Sequence, residues 1–140
     1  MILITFWFYS SFGLCDDAEI TGETYLGLAG KSARIKLHGQ ICDVRSISDL
    51  GITNFKVVLE CDGTSQVLWD ISNPGENSLN YDDPKFELLW AGDMDYDYKI
   101  DLKMNMSPKY SCSRLTVYLS SLAKDGELVG VKGKPEYKCE

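Results

Sequence analysis

The chain has a single histidine, no CxxC pair, no cluster of lysines and arginines, and no long apolar run after its first fourteen residues. Each gap removes a class of function. Zinc centres use close-spaced cysteines and histidines, so with His38 as the sole imidazole the cysteines read as disulfide partners. The formal net charge of −7 repels phosphate backbones. That argues against nucleic acid and against simple electrostatic docking on anionic lipid, and leaves zwitterionic lipid and small apolar ligands open. No later segment is apolar for long enough to span a bilayer. "GLAGKS" has glycines and a Lys-Ser pair but not the spacing of a phosphate loop, so it reads as connecting chain.

The amino terminus is the exception to this polarity. "MILITFWFYSSFGL" carries no charged side chain, and only Thr5 interrupts the apolar run from Ile2 to Tyr9. This predicts a secretory signal peptide over residues 1–15, cut after Cys15, with "DDAEITGE" as the new start. Residues 16–32 read as a flexible lead-in and 33–140 as one domain, since about 125 residues suffice for a single core. Losing Cys15 turns five cysteines into four: Cys42, Cys61, Cys112 and Cys139. In an exported domain these imply two disulfides among three possible connectivities. Asn105 opens an N-glycosylation sequon in "NMSP", with Pro108 directly after it.

Alternation dominates the rest. In "ARIKLHGQIC", Ile35, Leu37, Gly39 and Ile41 share one parity, so the segment reads as a half-buried strand with His38 on its polar face. Phe55, Val57 and Leu59 alternate in the same way. Further short runs, "SQVLWDI", "KFELLW", "YKIDLKMNM", "SRLTVYLS" and "ELVGV", are separated by turn words such as "CDGTS", "AGDMD" and "KDGE". The expected fold is all-β, a transthyretin-like or immunoglobulin-like sandwich of seven to eight antiparallel strands stapled by disulfides. "ISDLGI" and "SSLAK" can each hold a helical turn.

The order of these words resembles the nematode transthyretin-like family of secreted proteins. "IKLHGQIC" is similar to that family's "KGxLxC", "ITNFKVVLE" to its "AxNVKVKLxE", "KFELLWAG" to its "GEFxLxG" and "CSRLTVYLS" to its "CxRxxTIxIP". "YKIDLKMNM" is similar to "xxIDPxLxIYHDC" without its terminal cysteine and histidine, and "GKPEYKCE" to a tail that ends near a cysteine. The resemblance covers residues 33–139 and implies two four-stranded sheets. In that topology Cys42 would join Cys112, and Cys61 would join Cys139. It also implies an extracellular or cell-surface location; the exported scaffold without a credible catalytic group reads as a binding protein with no cofactor, whose partner is an extracellular protein, a lipid or a small apolar ligand.

Candidate chemistry is sparse. Asp93, Asp95 and Asp97 alternate in "DMDYDYKID" like the opening ligands of an EF-hand loop. Tyr98 then stands where the turn glycine belongs and Met104 where the bidentate glutamate belongs. A looser calcium site joining this loop to Asp82 and Asp83 is the alternative reading, with a lipid-facing tip formed by neighbouring aromatics. Tyr96 and Tyr98 are the expected ligand contacts, whereas Trp69, Trp90 and most other aromatics are expected in the core or on sheet faces. A hydrolase built around His38 ranks last, since no Ser or Asp is placed beside it. The reading is a non-enzymatic, secreted binding protein.

Overall fold

The computed structural model describes residues 16–48, 54–72 and 84–140. Alternating sequence becomes alternating burial: β3 (Ser32–Leu37) buries every second residue, and β8 (Asp101–Ser107) sends Leu102, Met104 and Met106 inward. The described residues form two antiparallel sheets. One is a meander of β2 (Glu19–Gly22), β3, β4 (Gln40–Ile47), β5 (Lys56–Cys61) and β6 (Thr64–Asp70). The other runs β1 (Asp16–Asp17), β7 (Lys85–Asp93), β8, β9 (Cys112–Leu119) and β10 (Gly130–Val131), with β11 (Glu136–Cys139) also on β9.

Their inner faces meet over one core. Phe86 stacks on Phe55 with ring centroids 5.7 Å apart and leans on Trp69 at 4.9 Å, giving the core a rigid aromatic centre. The all-β sandwich is as expected, although the strands are shorter and more numerous. "SSLAK" supplies one 3-10 turn, Ser120–Leu122; of "ISDLGI", Ile47 ends β4 and residues 49–52 lie outside the described residues. No helix among the described residues is long and apolar enough to cross a membrane.

The segment 16–32, expected as a loose lead-in, is woven into both sheets. Asp16 and Asp17 pair with Asp93 and Gly92, Glu19–Gly22 pairs with β3, and the Leu26 amide returns to the Phe86 carbonyl at 2.7 Å. A Cβ on Gly92 would run into the Asp16 carbonyl and the Trp90 ring, so glycine there lets β1 approach. The acidic composition of this stretch concealed its pairing. The signal peptide read in 1–15 lies outside the described residues.

The disulfides correct the expected pairing. Cys42 is bonded to Cys61, and Cys112 to Cys139. The cause is a misread strand. "ARIKLHGQIC" is a hairpin, with His38 (φ 51°) and Gly39 (φ 80°) as its two-residue turn, the left-handed pair that suits a type I′ connection. His38 is therefore a turn residue, and Ile41 faces solvent while Cys42 and Val44 turn inward. Cys42 opens β4 instead of closing β3, directly opposite Cys61 at the end of β5. Cys112 lies in the other sheet at the far end, since β9 starts with it and runs roughly 24 Å to Leu119. Each sheet thus carries its own staple, at opposite ends of the sandwich. Disulfides of this kind suit an oxidising, extracellular setting.

Candidate functional site

The end of the sandwich near Cys42 gathers the His38–Gly39 turn, the Asp62–Gly63 turn, the loop between β7 and β8, and the 3-10 turn after β9. The β7–β8 loop is built around its own carboxylates. Asp93, buried at the end of β7, accepts hydrogen bonds from the Asp97 and Tyr98 amides at 3.1 and 2.8 Å. Asp101, fully buried at the start of β8, accepts from the Met94 amide at 2.7 Å and the Ser120 amide at 2.8 Å. The Ser120 hydroxyl donates to Asp97 at 2.7 Å, and the Ser121 hydroxyl to Asp95 at 2.6 Å. The Ile100 amide donates to the side-chain oxygen Oε1 of Gln40 at 3.1 Å, joining the loop to the other sheet.

One carboxylate oxygen from each of Asp93, Asp95, Asp97 and Asp101 lies within 4.8 Å of the others. Crowding and burial act unequally on them. Burial pushes the Asp101 carboxyl up from its ordinary range against its hydrogen bonds from Ser120 and Met94. Burial works in the same direction on Asp97, but hydrogen bonds from the Ser120 hydroxyl and the Lys99 amide outweigh it and hold that carboxyl low. Such an arrangement offers oxygen ligands of the kind a hard cation takes. Asp82 and Asp83, proposed to complete a calcium site, lie outside the described residues.

His38 does have a carboxylate partner: its Nε2 is 3.0 Å from Asp16 Oδ2, and Asp93 offers a further ligand atom beside them. Its ring meets the Tyr98 ring edge-on at 5.1 Å. The strand β1 delivers Asp16 from a position no local spacing indicates.

Tyr96 and Tyr98 stand out from the loop, 54% and 72% exposed, both with positive φ (60° and 64°). The hydrogen bonds to Asp93 hold the backbone in a conformation that side-chain-bearing residues rarely adopt. The other aromatics divide. Trp69 and Tyr118 are core residues as expected. Tyr110 is exposed beneath the Lys85 ammonium, and Tyr81 is outside the described residues. Trp90, expected in the core, is half-buried on the outer face with its Nε1 donating to Asp17 at 2.8 Å. A bulge between Leu88 and Trp90 shifts the register and reverses the face expected from parity.

Asn105, which opens the sequon, is buried in β8, and its side-chain oxygen accepts the Arg114 amide at 2.9 Å. Sequence reasoning missed Asp101, Ser120 and Gln40. Asp101 was within sight, since it closes the same acidic run "DMDYDYKID". Ser120 and Gln40 carry no local signal and arrive by topology. Comparisons with known proteins find no matching family model, no matching curated protein and no matching solved structure.

Proposed function

We propose that the chain is an exported, disulfide-stapled β-sandwich that works by binding an extracellular partner and catalyses nothing, with the β7–β8 loop as its contact edge. The observation that carries this reading is the pair Tyr96 and Tyr98, exposed at the tip of a loop pinned by Asp93. Tyrosines held this way offer contact area and a polar tip with little ordering left to do on association. The signal-like amino terminus and the order of motifs similar to the transthyretin-like family support export and a sandwich. The disulfide pairing implied by that resemblance is not formed, so the binding reading rests on the loop itself.

The test is retention of a native partner. Protein isolated gently from its source, and a Tyr96→Ala/Tyr98→Ala variant expressed beside it, are compared by native mass spectrometry. A stoichiometric protein, lipid or small molecule held by the first and lost from the second is expected. Equal retention by both would remove the loop from the reading, and saturable turnover abolished by His38→Ala would replace binding with hydrolysis.

A second reading follows from the four carboxylates within 4.8 Å: the loop takes calcium and presents its tyrosines to a lipid surface. Calorimetric titration with millimolar calcium then gives heat that Asp95→Asn diminishes, and vesicle co-sedimentation requires calcium. No heat, or sedimentation indifferent to calcium, rejects it.

A further inference from the structure

Four aspartates crowd the β7–β8 loop, whereas the outer face of the sheet β7–β8–β9 carries Lys103, with Lys132 and Lys134 beside it in the stretch between β10 and β11. Strand β9 is also unusual in its faces. Thr116 and Tyr118 are buried, while Leu115 is 43% exposed and Val117 half-buried on the outer side. The β7 bulge adds Leu89, 47% exposed, to the same surface. Apolar side chains facing outward within a charged rim mark a contact surface more than scattered exposed leucines do.

These residues line a groove of about 340 Å³, within the range of small-ligand sites. Its wall is fixed by the Lys132 amide, which donates to the Val117 carbonyl at 2.8 Å. The Lys103 ammonium sits 5.8 Å from the centre of the Trp90 ring. Among the described residues, none of the three ammonium groups has a carboxylate at ion-pair distance. Glu136 is the one carboxylate in the lining, against three ammoniums.

We infer that this groove binds a single-chain amphiphile with an anionic head, a fatty acid, its acyl chain along Leu89, Leu115 and Val117 and its carboxylate between Lys132 and Lys134. A bare inorganic anion would leave the apolar floor uncovered. A neutral amphiphile would leave the ammoniums unmatched, and a cationic one is repelled. The inference is independent of the tyrosine loop, which lies at the end of the sandwich.

The full chain is titrated with dansyl-undecanoate, followed by the rise and blue shift of dansyl emission, and then challenged with competitors. Saturable binding, displaced by oleate but not by methyl oleate, dodecyltrimethylammonium or inorganic phosphate, is expected. Lys132→Glu/Lys134→Glu weakens it by about tenfold or more, since two favourable charge contacts become repulsive. Lys132→Arg/Lys134→Arg keeps it, and both pairs are exposed, so the fold is undisturbed. Absence of saturation, indifference to charge reversal, or displacement by the cationic amphiphile overturns the proposal. Co-sedimentation with phosphatidylserine vesicles without binding of dansyl-undecanoate overturns it too, in favour of a membrane-docking face.

Discussion

Cys42 and Cys61 face each other across β4 and β5 with Cα atoms 4.2 Å apart, each next to or near a two-residue turn at the same end of the sandwich. Cys112 and Cys139 repeat the relationship in the other sheet, at 4.0 Å. Both bonds link strands that already pair side by side, and neither crosses between the sheets. Peptide mapping of the non-reduced protein is therefore expected to recover Cys42 with Cys61 and Cys112 with Cys139. Their sequence separations of 19 and 27 make each worth about 3 kcal/mol by loop-closure entropy. Cys42→Ala/Cys61→Ala should lower unfolding stability by roughly that amount in urea titration. Recovery of a Cys42–Cys112 peptide would mean that the β3–β4 hairpin is wrongly placed.

The hairpin itself is open to test at Gly39. Its φ of 80° is left-handed, and a Cβ added there would meet nothing within 4 Å. Any cost of Gly39→Ala is thus conformational, about 1 kcal/mol for a side chain in this region. Gly39→Asn should cost less than Gly39→Ala, because asparagine tolerates a left-handed φ that alanine does not. Thermal melts in which the two variants fell equally would contradict the turn assignment.

Where periodicity ran unbroken, the sequence was readable. Ile100, Leu102, Met104 and Met106 alternate and are buried together, and "CDGT" announced its turn through Asp62 and Gly63. It misled where a turn or bulge preserved the pattern while changing the face. The His38–Gly39 turn consumes two residues without breaking alternation, so β3 and β4 merged into one strand and the disulfide partners were exchanged. The bulge at Leu89 did the same to Trp90. The candidate site was half legible. Its acidic loop and both tyrosines lie in one contiguous run, but Asp16 and Gln40 reach it from other strands and Ser120 from the 3-10 turn after β9, and only the pairing of the strands brings them there.

Asp93 organises that loop. Two amides, of Asp97 and Tyr98, converge on its buried carboxylate, and hydrogen bonds to an ionised acceptor are worth about 1.5–3 kcal/mol each. Asp93→Ala is expected to destabilise the chain by about 3 kcal/mol and to expose those two amides to solvent exchange. Hydrogen exchange resolved at the peptide level should show the loss of protection confined to the β7–β8 loop. A variant with wild-type protection there would show that the loop keeps its shape without Asp93, and the preorganisation of Tyr96 and Tyr98 would need another source.

Asp97 and Asp101 predict opposite responses to acid. Asp97 is held below its ordinary value of 3.8, so the unfolded chain takes its proton first. The stability it contributes is complete above that value and is lost as pH falls through the lower folded value. Asp101 is raised by burial, so the folded chain takes its proton first, and acidification toward 3.8 relieves a cost present at neutral pH. Asp97→Asn should therefore lower the urea midpoint by a constant amount above about pH 5, and the gap from wild type should close as pH falls below 3.8 through the lowered folded value. Over the same titration, the wild-type curve should flatten or rise slightly as pH falls toward 3.8, because the folded chain protonates Asp101 before the unfolded chain does, and fall below it. A gap between wild type and Asp97→Asn that stayed constant to the acid end would mean the Ser120 and Lys99 hydrogen bonds do not favour the ionised carboxylate.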